Sequence, residues 1–146
     1  VRMNGTSDVD FIKLIDLHHK VDVLESLPNL EFYDYTKVLS RVKRYAGTNY
    51  MLTFSMNEDN QSEIEEALGY GAAVSVVFST KKGESLPTQY LGYKVIDGDA
   101  ADDLMIDERG AFILGLRFKG NNADRIEAVK SGFVLEVKES KLELTK

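Results

Sequence analysis

Six short polar segments follow apolar runs in this chain, and in a parallel α/β protein the carboxyl ends of strands are where binding and chemistry collect. They are Asn4-Gly5-Thr6-Ser7-Asp8, Asp34-Tyr35-Thr36-Lys37, Ser55-Met56-Asn57-Glu58, Ser79-Thr80-Lys81-Lys82-Gly83, Asp97-Gly98-Asp99 and Arg117-Phe118-Lys119-Gly120. If the runs before them lie side by side as parallel strands, all face one rim. Their side chains would then offer donors, acceptors and charge to a small-molecule ligand. Exposure and helix capping account for the same residue types, and they explain Ser7, Asp8 and Ser62 completely.

Lys37, Arg41 and Arg44 recur at i, i+4 and i+7, a spacing that puts them on one helical face able to hold a phosphate or an acidic partner. Long cations along a helix are more often a solvated face. Lys37 stands apart because it falls at a junction of strand and helix, which makes it the best single candidate for touching a ligand. The run Asp97-Gly98-Asp99-Ala100-Ala101-Asp102-Asp103 supplies oxygen donors of the type Mg²⁺ or Ca²⁺ prefers, but its spacing is not that of an EF-hand. A solvated acidic turn leading into a helix is the plainer account, and no metal site is assigned. His18 and His19 point about 100° apart on a helix and cannot share a metal; one is expected half-buried and the other wet. Gly69-Tyr70-Gly71 follows a helix and precedes a strand, the reverse of the order that cradles phosphate. Phe32, Tyr33 and Tyr35 default to the core.

These residues belong to a chain of 146 residues with 18 Lys+Arg against 24 Asp+Glu, a formal charge of −6 and a pI near 5.0. That balance disfavours nucleic acid as a partner. The absence of Cys, with only two His, excludes disulfides, thiolate nucleophiles and Cys-ligated metal or cluster sites built from this chain. No apolar run approaches the length of a membrane span, and the opening VRMNGTSDVD lacks the regions of a signal peptide. The expected location is the cytoplasm.

The elements that must position the rim alternate. A first strand is expected ahead of Asn4. A helix follows over 11–27, opened by Ser7-x-x-Asp10 and closed by Pro28. A strand over 30–35 leads to a helix over 36–45, a strand over 49–54 and a helix opened by Ser62-x-x-Glu65. Strands are expected over 73–78, 92–96, 111–118 and 133–137, with a helix over 123–130 before the last. The run 73–78 is β-branched without alternation, the signature of a strand buried on both faces. The fold class is therefore α/β with a mostly parallel sheet, either open or a partial (half) barrel, since so short a chain cannot close eight strands and eight helices. Residues 1–137 read as one domain and 138–146 as a charged tail that frays.

Arg2-Met3-Asn4-Gly5-Thr6-Ser7-Asp8, Phe32-Tyr33-Asp34-Tyr35-Thr36-Lys37, residues 49–55, Leu86-Pro87 leading to residues 92–99, and Gly115-Leu116-Arg117-Phe118-Lys119-Gly120 occur in a familiar order and spacing. Over residues 1 to about 120 the chain resembles the carboxyl-terminal part of phage-borne proteins of uncharacterised function related to the gene-product-eighty-eight family. The resemblance implies that full-length members carry a Cys-rich segment ahead of the NGTSD motif, in a radical-SAM-like partial barrel. An iron–sulfur cluster and S-adenosylmethionine would be cofactors only with that segment, and the Cys-free chain looks like an incomplete reading frame. The motif members at strand ends, Asn4, Ser7, Asp8, Thr36, Lys37, Ser55, Asp97 and Asp99, become the candidate ligand-binding residues. No catalytic residue is assigned.

The first functional reading is the carboxyl-terminal half of a radical-SAM-like enzyme, helping to bind cofactor or substrate without being catalytic itself. The second is a noncatalytic phage accessory module that self-associates through exposed sheet edges into a homo-oligomer. A metal-dependent hydrolase using the carboxylates over 97–103 ranks last.

Overall fold

A computed structural model describes residues 1–100 and 108–137. The frayed tail expected over 138–146, together with Asp102 and Asp103, lies outside the described residues.

The first helix is two helices, α1 (Phe11–His19) and α2 (Val23–Ser26). Asp10, rather than Ser7, caps α1 by accepting from the Lys13 amide at 3.1 Å. Lys20 ends it in the left-handed region, and Asp22 caps α2 through the Glu25 amide at 2.9 Å. Two local side-chain caps thus outcompete the continuous apolar periodicity. β1 (Phe32–Thr36) runs to Thr36, whose hydroxyl accepts from the Val38 amide at 3.1 Å, so α3 (Leu39–Tyr45) begins later than its spacing predicts. β2 (Tyr50–Ser55) follows as expected, but Ser62 does not cap the next helix: it lies inside a 3₁₀ turn over Gln61–Glu63 that leads into α4 (Ile64–Gly69), and neither has a side-chain cap hydrogen bond; β3 (Ala73–Phe78) is as expected.

The strand expected over 92–96 is β5 (Tyr93–Asp97), and it forms a hairpin with a short strand that the sequence pattern did not announce, β4 (Gln89–Tyr90). Its two-residue loop places Leu91 and Gly92 at φ 51° and 79°. A twist-matched hairpin turn needs positive φ at both positions, normally announced by Asn-Gly. β6 (Ile113–Arg117), α5 (Asn122–Ser131) and β7 (Val134–Leu135) complete the order. No strand forms ahead of Asn4; Arg2 makes only an isolated parallel bridge to Tyr33.

Among the described residues the sheet has seven strands, in the order β1-β2-β3-β6-β5-β4, with β7 on β3. All pairings are parallel except β4 with β5. β2 pairs with β3 over Ala73 to Ser75, and β7 joins β3 at Val77 and Phe78. Because β6 occupies one edge of β3 through Phe78, β7 continues the other edge past the end of β2, which is why it is only two residues long. A barrel keeps consecutive strands adjacent all the way round. Here β6 inserts between β3 and β5, so the sheet is open.

The main core packs Ile12 of α1, Val42 and Tyr45 of α3, and Ile64, Ala67 and Leu68 of α4 with Phe54, Val74, Val76 and Ile113 of the sheet. A smaller cluster gathers Phe112 and Leu114 with Tyr33, Tyr35, Ala73 and Ile96. Burial on both faces is what the non-alternating, valine-rich β3 leads one to expect. Among the described residues, no helix is long and apolar enough to cross a membrane.

Candidate functional site

The carboxyl ends of β1, β2, β3, β6 and β5 face one edge of the sheet, because these strands are adjacent and parallel. Two polar centres form there, at opposite sides.

At the β1 side, alternation turns Phe32, Asp34 and Thr36 inward. Asp34 is 1% exposed and accepts from the Asn4 amide nitrogen and from the Tyr50 hydroxyl, the latter at 3.1 Å. Asn4 is also buried; it donates to the Val9 carbonyl at 2.9 Å and accepts from the Ser7 hydroxyl at 2.7 Å. Asp8 bridges the Lys37 amide, at 2.7 Å, and the Arg41 guanidinium. Arg41 Nη2 closes the circuit on the Tyr50 hydroxyl at 3.0 Å. Alongside, Asp10 takes Arg44 at 2.5 Å and the Tyr45 hydroxyl at 2.6 Å. Burial and the neighbouring Asp34 charge push the Tyr50 pKa up, and burial with the Asp10 hydrogen bond does the same for Tyr45. Both phenols therefore stay protonated and donate. The cationic stripe is dismantled: Arg41 is buried, Arg44 is spent on Asp10, and Lys37 precedes the helix, exposed, with only its amide engaged by Asp8.

At the end of β2, the Ser55 hydroxyl accepts from that of Ser75 at 3.3 Å, and buried Asn60 donates to the Ser55 carbonyl at 3.0 Å. These contacts hold a loop.

At the β5 and β6 side, Asp97 and Asp99 converge on Arg117. Its Nη1 lies 2.8 Å from Asp97 Oδ1 and 3.4 Å from Asp99 Oδ2, and its Nε donates to the Glu84 carbonyl at 3.0 Å. Asp99 also accepts from the Arg117 amide at 2.9 Å and pairs with Lys119 Nζ at 3.0 Å. The Arg117 hydrogen bond holds the Asp97 carboxyl below its ordinary pKa. Burial would raise that of Asp99, but the Arg117 amide and Lys119 outweigh it and the net shift is downward. Asp97 in turn raises Arg117. The three groups are thus charged together across the neutral range. A cavity of about 500 Å³ opens beside them, lined by Lys82, Gly83, Asp99, Arg117, Phe118 and Lys119. It sits where β6 reverses the strand order, the place where open α/β sheets leave a crevice.

Strands stand about 4.8 Å apart, so β1 and β5, four places apart in the sheet, are separated by roughly 19 Å. One small ligand cannot touch both Lys37 and Asp99. The structure therefore gathers Asn4, Ser7, Asp8 and Thr36 in one place and Asp97 and Asp99 in another, with Ser55 between them. Lys82, Arg117, Phe118 and Lys119 fall in strand-end segments noted in the sequence but outside the eight candidates. The adjacent Asp-Gly-Asp was the available signal for them.

Both centres lie within one family match, because a family model described as Gene product 88 covers residues 1–136. The chain belongs to the Gene product 88 family. It is thereby a phage-type protein. The match runs past Gly120 and takes in α5 and β7, so every described strand of this Gene product 88 domain lies within the matched residues. The other two comparisons, with curated proteins and with solved structures, find no match.

The remaining candidates of the Gene product 88 chain resolve simply. His18 and His19 are both exposed, in the last turn of α1, with their rings edge-on at 4.8 Å. The expected half-buried one does not occur, because α1 turns Ile12 rather than a His into the core. Phe32 is core, whereas Tyr33 and Tyr35 are half-buried, with Arg2 stacked over the Tyr35 ring. Among the described residues, no group of three or more His, Asp or Glu side chains could hold a metal ion.

Proposed function

We propose that this chain is a noncatalytic binding domain that holds a small-molecule ligand in the cleft where β3, β5 and β6 end. The observation that carries the reading is the coincidence of that cavity with the reversal of strand order and with a fixed, charged Arg117. In this reading Asp97 and Asp99 orient Arg117. Asn4, Ser7, Asp8 and Thr36 stiffen the far side of the rim, and Lys37 and Ser55 are free of ligand. A cytoplasmic location belongs to the same proposal.

The resemblance implies a radical-SAM-like enzyme around such a domain, a reading that rests on the resemblance alone. The inserted β6 counts against a barrel order. The residues present do not fit an iron–sulfur cluster, since the chain has no Cys; thiolates would have to come from another segment or partner.

The test is a thermal-shift screen with a panel of anionic, cationic and neutral metabolites. At least one compound should raise the melting midpoint of the native chain, and Lys119→Glu should abolish the shift. A panel without effect, or a shift unchanged in the variant, removes the reading.

Self-association is the second reading. Phe11, Leu14, Leu17 and Val21 on and just after α1, with Leu27 and Leu30, are large apolar side chains left exposed, a concentration usually found at contact surfaces. Light scattering at micromolar concentration decides it, and a strictly monomeric species ends it.

A further inference from the structure

Resting on the cleft as a binding site, we infer the class of its ligand: a small phosphate monoester with a flat apolar body. In a chain of net charge −6, the cavity is lined by three cations, Lys82, Arg117 and Lys119, against a single carboxylate, Asp99. That inversion of local charge is an attraction for an anion. Asp97 and Asp99 offset part of it through their ion pairs with Arg117 and Lys119, and Lys82, with no ion pair among the described residues, leaves the cleft net positive.

Arg117 is built for the role. Asp97 and Asp99 hold Nη1, and the Glu84 carbonyl holds Nε. Nη2 makes no hydrogen bond among the described residues and is not a buried unpartnered atom. A guanidinium locked on one side and open on the other loses little side-chain freedom when an oxyanion arrives. Lys82 has no ion pair among the described residues, and Lys119 has one, with its side chain 82% exposed. Both can swing to a ligand as mobile point charges.

The number of donors favours a phosphate monoester over a carboxylate, since its three acceptor oxygens can take Arg117 Nη2, Lys82 and Lys119 together, where a carboxylate offers two oxygens. Two carboxylates already satisfy the Arg117 Nη1. Phe118 supplies the apolar wall between the two cationic neighbours, and Gly120 makes room for its ring: a Cβ there would come within 2.6 Å of Phe118 Cε1. A cavity of about 500 Å³ suits one small organic ligand rather than a polymer.

The probe is phenyl phosphate, titrated into the full chain by calorimetry, with benzyl alcohol as the uncharged control. Saturable binding with a Kd at or below about 1 mM, no binding of benzyl alcohol, and a weakening of about tenfold or more in Lys82→Ala/Lys119→Ala support the inference. Both lysines are exposed, and an unchanged circular dichroism spectrum certifies the fold of the variant. Absence of saturation, or equal affinity in the double variant, overturns it. A metabolite without phosphate that binds the cleft while phenyl phosphate does not refutes the ligand class and leaves the binding domain standing. If nothing binds, both fall.

Discussion

The Tyr50 hydroxyl donates to the Asp34 carboxylate across the β1–β2 pair at 3.1 Å, and Arg41 donates to the same hydroxyl at 3.0 Å. One phenol thus joins a buried anion to a buried cation. Tyr50→Phe keeps the ring and its packing against Tyr45 but leaves Asp34 short of a donor and Arg41 short of an acceptor. The expected cost is about 1–3 kcal/mol, seen as a lower urea midpoint at unchanged slope. A change below about 0.5 kcal/mol would mean that the hydroxyl is not part of what holds the rim.

Leu91 sits at φ 51° in the β4–β5 turn and is 43% exposed. A branched side chain is strained there and Asn is tolerated, so Leu91→Asn should stabilise the domain by about 1 kcal/mol. Thermal unfolding checks this, and a lowered midpoint would show that lost Leu91 packing dominates.

Gly115 lies at the middle of β6, where a Cβ would approach Val95 Cγ1 to 2.7 Å and Leu86 Cδ1 to 3.1 Å. Gly115→Ala should cost about 1–3 kcal/mol by overpacking. Equilibrium denaturation that matches the native chain would show that Val95 and Leu86 can withdraw.

Lys37 is exposed, and only its amide is engaged by Asp8. Lys37→Ala should leave stability within about 0.5 kcal/mol and leave binding in the β3–β5–β6 cleft intact. A loss of ligand affinity in this variant would move the site to the β1 side.

Asp10, Asp97 and Asp99 all carry pKa values below the ordinary 3.8. For Asp97 the cause is the Arg117 hydrogen bond; for Asp10 and Asp99 hydrogen bonds and cations outweigh the upward pull of burial. Folded carboxyls therefore bind protons less readily than unfolded ones. Their stabilisation is present in full above the unfolded value and is lost as pH falls through the folded values. Denaturant midpoints should be flat above about pH 5 and drop below about pH 4. A midpoint that rises on acidification is the contrary result.

The alternation of apolar runs with capped, amphipathic segments determined an α/β domain with polar strand ends, and the sheet bears this out because periodicity is a local property of the chain. Residues 73–78 are the clearest case: a valine-rich run without strict alternation became the central strand, paired on both edges. The sequence also determined what the chain cannot itself supply, above all thiolates. Local order did not determine that Leu91-Gly92 would turn a hairpin, nor that Lys20 would break the first helix, since each depends on backbone geometry with only a weak residue signature. Strand order was decided by tertiary structure alone. Inserting β6 beside β3 carried Arg117 to Asp97 and Asp99, and kept all three far from Asp8 and Lys37. Arg41 shows the same division: its helical spacing was legible, but its burial against Asp8 and Tyr50 follows from residues distant in sequence. Desolvation and ion pairing are set by which chain segments meet in space, and a one-dimensional pattern does not record that.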